Sequence, residues 1–172
     1  MKIKIVVFAI IIVLTSFSVV AQDVPADLQA KLMLKIISMD RNFDRFGEPI
    51  KIGASTDTII KELNGITSLK IKGKDFSAEK INTLDDIAKY KVIYVGKNWA
   101  SNYTAAGDKA AANQALMFCE SEDGVLSGGG AVSFKVVDGK PKIVVNLEKA
   151  KKMGTDFPAN FLQVTMVVGS LQ

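Results

Sequence analysis

Apolar and polar residues change their period along this chain, and each change marks an element. Leu28, Leu32, Ile36, Met39, Phe43 and Phe46 recur at three- and four-residue steps, the spacing that lines one face of a helix. Leu34 and Ile37 widen the stripe, Lys31, Lys35, Arg41 and Arg45 lie largely off it, and Gly47 and Pro49 stop it. One amphipathic helix is therefore predicted from Pro25 or Ala26 to about residue 46. Its stripe packs on a sheet or, in a second reading, forms part of a dimer or partner surface.

Farther on, the period shortens. Residues 49–53 read as a strand, and Ser55 or Thr56 as the cap of a helix that runs to about residue 63. A strand is predicted over 69–72, a Thr83-capped helix over 84–89, and a β-branched, aromatic strand over 92–95. The alanine-rich stretch 102–113 reads as a helix and 115–118 as a strand. Such alternation predicts a mainly parallel sheet flanked by helices.

Asp138-Gly139 is a strong signal for a two-residue type I′ turn, which needs positive φ at both central positions. Facing residues then have numbers summing to 277, so Phe134 faces Ile143, Val132 faces Val145, and Val136 faces Pro141. These pairs give the ribbon one apolar face. Ser133, Lys135 and Lys142 share the other with Val137 and Val144. Pro141 donates no ladder hydrogen bond and belongs at a strand start or an edge. Asn146 is placed to cap a short helix over 147–152 that Gly154 ends, and Asp156-Phe157-Pro158 opens a last helix carrying Phe161, Leu162, Thr165 and Val168. The whole reads as one α/β domain, residues 22–172, with a C-terminal antiparallel β-hairpin.

The amino-terminal segment changes the compartment. Lys2 and Lys4 precede an apolar run from residue 5 to about residue 14, and Val19-Val20-Ala21 supplies small residues for cleavage. Residues 1–21 are expected to be a signal peptide cut after Ala21, placing the mature chain in a periplasm. An uncleaved anchor would need a longer apolar span. Losing Lys2 and Lys4 lowers the formal charge from +4 to +2, and nothing in that balance demands nucleic acid or anionic lipid.

The chain has no histidine, which excludes Ser-His-Asp and Cys-His catalysis and histidine-ligated metal sites. Its single cysteine, Cys119, cannot form a disulfide within the chain, and a buried thiol at the end of the run 115–118 is the plainer reading beside an intermolecular disulfide. Ser77-Ala78-Glu79-Lys80 matches S-x-x-K without its companion motifs, so Ser77 is expected to cap a helix. The acidic run 120–124 departs from a calcium-loop spacing and reads as a solvated turn. Gly128, Gly129 and Gly130 lack the Walker lysine-serine pair, so a tight backbone approach explains them better than phosphate. Neither a cofactor nor a metal is expected. In an open α/β sheet ligands gather outside the carboxyl ends of the parallel strands, where the loops 53–56, 96–99 and 120–124 should converge. The candidate contact residues for a partner or ligand are therefore Ser55, Lys97, Asn98, Trp99 and Tyr103. For Trp99 the alternative is simple packing against a helix.

The glycine run Gly128, Gly129 and Gly130, the strand carrying Phe134, Asn146 after the return strand, a helix with Ala150 and a final apolar helix follow in an order that resembles the YfiR/HmsC family of periplasmic proteins. The resemblance runs from about Gln29 to the carboxyl terminus. Each motif residue also has a purely structural job, so the motif speaks for a fold. The resemblance implies a non-enzymatic regulator that represses an inner-membrane diguanylate cyclase, or another membrane sensor protein, by binding its periplasmic sensor domain. It further implies release through an outer-membrane OmpA-like lipoprotein, a rise in cyclic-di-GMP that promotes biofilm formation, and a homodimer. Better-known members carry paired cysteines, which a lone Cys119 cannot reproduce. The residues alone leave a second class open, a periplasmic small-solute binding protein feeding a transporter or sensor, for which one domain is small.

Overall fold

The computed structural model of the protein describes residues 23–169, so the expected signal peptide lies outside the described residues. Seven strands form one sheet: β1 (Ile50–Ala54), β2 (Phe76–Lys80), β3 (Val92–Val95), β4 (Leu116–Cys119), β5 (Val132–Val137), β6 (Lys140–Asn146) and β7 (Met166–Val168). Their order is β2-β1-β3-β4-β5-β6-β7. The first five run parallel, β6 is antiparallel to β5, and β7 is parallel to β6. Helices α1 (Ala26–Met39), α2 (Asp57–Gly65), α3 (Tyr103–Ala112), α4 (Glu122–Leu126), α5 (Leu147–Lys152) and α6 (Ala159–Leu162) accompany the strands. This is the expected α/β domain. Among the described residues no helix is long and apolar enough to cross a membrane.

The strand order reverses direction after β2, so the topological switch point lies between β1 and β3. Right-handed crossovers then send connections to opposite faces. Helix α1 packs with α2 on one face, while α3 packs with the 84–89 turn and α5 on the other. The hairpin has the register that its turn dictates: Val132 pairs with Val145, Phe134 with Ile143 and Val136 with Pro141. Asp138 and Gly139 both hold positive φ, 51° and 71°. Phe134 stacks on Phe118 of β4 with centroids 6.3 Å apart, which locks the ribbon to the parallel part of the sheet.

Several expectations are corrected. Helix α1 stops at Met39, because Asp40 leaves helical geometry with φ −62° and ψ 127°. The Asp40 carboxylate is fully buried and accepts from the backbone N–H of Asn42 (2.9 Å) and of Asp156 (3.0 Å) while pairing with Arg45 at 3.1 Å. Phe43 and Phe46 still reach the core, from a 3₁₀ turn at Phe43–Phe46. The buried stripe of α1 is also rotated towards Ala30, Met33, Leu34, Ile36 and Ile37, which leaves Leu28, Leu32 and Met39 half-buried. Gln29 is buried too, and is satisfied: it donates to the Val24 carbonyl (2.8 Å) and accepts from the Tyr94 hydroxyl (2.9 Å).

No strand forms over 69–72. Ile71 and Lys74 bridge across a tight turn in which Lys72 and Gly73 have positive φ, and the strand follows at Phe76–Lys80. Ser77 therefore lies in β2 and caps nothing. The 84–89 segment is capped by Thr83 as expected, through a reciprocal box with Asp86, but is 3₁₀ rather than α. The last helix is only four residues long. Thr165 to Val168 is rich in β-branched side chains, and that stretch extends into β7, with Val167 opposite Val145.

The two sheet edges are treated differently. At β2 the side chain of Asn64 pairs with the backbone of Ala78 in both directions, N–H to Oδ1 and Nδ2 to carbonyl, each 3.0 Å. It occupies the place of an eighth strand. At the other edge Met166 and Val167 of β7 are exposed.

Removing the Asp40 carboxylate strands the guanidinium of Arg45 and two backbone donors. Asp40→Ala is expected to cost about 3–5 kcal/mol in urea unfolding, the usual penalty for breaking a buried pair. Asp156→Ala, which breaks an exposed ion pair, should cost under about 1 kcal/mol. Equal effects would show that Asp40 is not the tie described.

Candidate functional site

The switch point between β1 and β3 is closed by the protein's own hydrogen bonds. Ser55, fully buried just after β1, accepts from the Gly96 backbone N–H (2.8 Å) and donates to Oδ1 of Asn98 (3.0 Å). Asn98 returns a bond from Nδ2 to the Ser55 carbonyl at 2.9 Å. The backbone N–H of Lys97 donates to Glu120 at 2.7 Å, which draws in the loop after β4. The three loops do converge, and they converge into contact. A Cβ at residue 96 would meet Thr56 and Glu120, so glycine is what lets the loops close.

Open space lies one strand farther along, at the carboxyl ends of β4 and β5. A cleft of about 360 Å³ is lined by Asp23, Lys97, the 121–123 loop and the segment 134–137. Its two cations are already paired: Lys97 Nζ with Asp23 at 2.6 Å and Lys135 Nζ with Glu122 at 2.7 Å. The hydrogen bond to Asp23 holds the Lys97 ammonium above the usual lysine range.

The five candidate residues are thus divided among different tasks. Lys97 lines the cleft, while Ser55 and Asn98 hold the loops together. Trp99 is half-buried against the core at a kink in the 3₁₀ stretch Lys97–Asn102. Tyr103 is buried, and burial pushes its hydroxyl above the usual tyrosine range. Asp23 and Lys135 were not singled out by sequence. Lys135 had one signal, its place on the polar face of the hairpin, whereas Asp23 has none near it in the chain.

The glycine run serves packing. Gly128 holds φ +76°, a Cβ on Gly129 would strike the Tyr103 backbone, and one on Gly130 would strike the Cys119 sulfur. Asn146 caps α5 by accepting from the Lys149 N–H at 3.0 Å. Cys119 is fully enclosed beneath Gly124 and Gly130, and burial pushes its thiol far up. Its sulfur therefore cannot meet another chain while the domain is folded.

The arrangement does not assemble a nucleophile with a base. Ser77 and Lys80 sit three residues apart on a strand and so point to opposite faces. The Lys80 ammonium is held by Asp57 at 2.8 Å. In the acidic run, Glu120 accepts from Lys97 and Glu122 pairs with Lys135. Among the described residues no group of three or more acidic or cysteine side chains is placed to hold a metal ion.

The sequence matches the YfiR/HmsC-like family over residues 26–165. No curated protein matches it. Among solved structures, a conserved domain protein from Vibrio cholerae O1 biovar El Tor is similar at 14% identity with a TM-score of 0.58, covering 83% of this chain and 60% of that one. An ABC domain in complex with L-Trp from Streptococcus pneumonia gives 18% identity and a TM-score of 0.56, over 84% of this chain and 60% of that one. The ligand-free, open structure of CD0873, a substrate binding protein with adhesive properties from Clostridium difficile, gives 16% and 0.50, over 70% and 55%. At these identities the likeness is one of fold, and this chain spans about 60% of the first two structures' length.

Native protein is expected to resist a thiol reagent at neutral pH, with Cys119 labelled only as the protein unfolds. Fast labelling without unfolding would contradict its enclosure. Gly129→Ala should cost about 1–3 kcal/mol or more in a denaturant titration, since backbone rather than a side-chain tip stands in the way.

Proposed function

Because the chain belongs to the YfiR/HmsC-like family, whose role is regulatory and periplasmic, we propose that it works by binding another protein and not by catalysis. The partner in this reading is the periplasmic sensor domain of an inner-membrane diguanylate cyclase, or of another membrane sensor protein, which it holds inactive. Residues 1–21 direct export and are removed after Ala21, leaving a mature domain of residues 22–172. An outer-membrane OmpA-like lipoprotein relieves the repression, and the mature protein acts as a homodimer. The observation that carries this reading is the family match across nearly the whole described domain. The site supports it, since both of its lysines are already held by carboxylates, Lys97 by Asp23 and Lys135 by Glu122.

Repression of this kind is a population shift. The protein favours the inactive partner only by the difference between its affinities for the two states. A tenfold difference corresponds to about 1.4 kcal/mol. The 97–103 segment is the proposed contact. There Lys97 and Asn98 are exposed, Trp99 is half-exposed, and the Ser55–Asn98 bonds hold the backbone still. Tyr103 supports that segment from beneath.

A second reading, a receptor for a small solute that serves a transporter or sensor, is favoured by the 360 Å³ cleft at the strand ends. A solute there would have to displace the Lys97–Asp23 or Lys135–Glu122 pair. A rise in melting temperature with one member of a solute panel, lost in Lys135→Ala, would select this reading.

The deciding experiment is affinity capture by residues 22–172 from detergent-solubilised envelopes, with mass spectrometry of what is retained. A membrane diguanylate cyclase or sensor protein should be recovered. Lys97→Glu and Trp99→Ala should each reduce capture about tenfold or more without lowering the melting temperature by more than a few degrees. Recovery of no membrane protein by folded bait would sink the regulator reading, and undiminished capture by both variants would place the contact elsewhere.

A further inference from the structure

At the opposite end of the sheet from the 97–103 segment lies a groove of about 360 Å³ between α1 and the turn that precedes β2. Its lining carries Lys31, Lys35, Lys70 and Lys72 and not one carboxylate. In this it differs from the other clefts described. The strand-end cleft sets Lys97 and Lys135 against three acids, a cleft beside α3 sets Lys109 against Asp85, and one beside Arg45 includes Asp44. The groove also has apolar lining, from Leu34 on the helix and from Leu69, which keeps 51% of its surface exposed.

Such an arrangement is unfavourable when empty. Lys31 and Lys35 stand four residues apart on one helix face, where like charges repel. Asp27 meets Lys31 at 3.3 Å and Asp75 meets Lys70 at 2.8 Å from outside the lining, and more than half of each of these side chains is exposed, so exchanging either carboxylate costs little. Lys35 and Lys72 have no carboxylate within ion-pair distance among the described residues, and Lys72 instead lies 4.8 Å over the ring of Phe43. With Lys31 and Lys70 partnered by Asp27 and Asp75, the unpaired Lys35 and Lys72 leave the groove net positive, and a concave wall with such an excess concentrates its field on whatever enters.

We propose that this groove docks an acidic polypeptide segment of a partner, with carboxylates to the four lysines and an apolar side chain against Leu34 and Leu69. Charge complementarity fixes the sign of the occupant, and the apolar lining calls for a side chain beside each carboxylate. The concave shape selects a polypeptide over a lipid surface, which meets a protein on its convex side. This docking site is separate from the 97–103 contact and stands or falls without it.

The test uses residues 22–172 and a fluorescein-labelled synthetic peptide of glutamates interrupted by leucines, read by anisotropy. Binding should weaken with salt and vanish when glutamine replaces glutamate in the peptide. Lys35→Glu combined with Lys70→Glu should lower affinity at least tenfold. Lys109→Glu combined with Lys152→Glu makes the same change of net charge on other surfaces and should alter it less than twofold. Leu69→Ser should weaken binding severalfold. Equal losses in the two charge pairs, or undiminished binding by the groove pair, would overturn the proposal. So would lysine-dependent sedimentation with phosphatidylglycerol vesicles in the absence of any peptide binding. Envelope capture through Lys97 and Trp99 is read separately, so either result can fail alone.

Discussion

Asp40 carries a charge into a place that water does not reach, and three distant parts of the chain are arranged around it. The end of α1 turns so that the Asn42 N–H points back at the carboxylate, and Arg45 folds over it. The segment after α5 brings the Asp156 N–H to Oδ1, the same oxygen that accepts from Asn42, while Arg45 holds Oδ2. Arg45 also reaches Thr155 and the Gln114 carbonyl before β4. A buried carboxylate with fewer partners would cost several kcal/mol, so the amino-terminal helix, the middle of the sheet and the carboxyl-terminal segment must arrive together. That constraint fixes where α1 ends, and so where β1 begins.

From that point the parallel sheet decides the geometry of the functional end. Reversal of strand order between β1 and β3 gathers the loops after β1, β3 and β4, and the Ser55–Asn98 bonds then seal the point where open α/β sheets usually bind their ligands. What remains accessible is a rigid rim carrying Lys97 and Trp99 and a cleft moved sideways, over the hairpin. A sealed switch point beside an exposed rim suits recognition of a surface, because little ordering is left to be done when the partner arrives.

Features set by neighbours in sequence were legible from sequence. Asp138-Gly139 fixed the pairing of β5 with β6, Asn146 and Gly154 bounded α5, and Thr83 marked its turn. Features set by distant groups were not. Asp40 falls in a gap of the apolar stripe, where a solvent-facing residue reads the same as one waiting for Arg45 and Asp156. Phe76 and Ala78 do alternate with polar residues as a strand should, but the apolar Leu69 and Ile71 nearby drew the assignment away. Thr165 to Val168 suits either a helix face or a strand, and only an open edge at β6 selects the strand. For the site, the parallel-sheet rule brought the right loops together. It could not say that Ser55 and Asn98 would satisfy each other, nor that Asp23, far off in sequence, would reach Lys97.

The Asn64 side chain at β2 gives the sheet a direction. Its amide fills both outward backbone positions of Ala78, so a strand from a fused segment, an exchanged one or a misfolded neighbour would have to displace it to pair there. At the β7 edge, among the described residues, Met166 and Val167 are exposed instead. β7 itself bonds to a single neighbour, so it can detach without taking another strand with it.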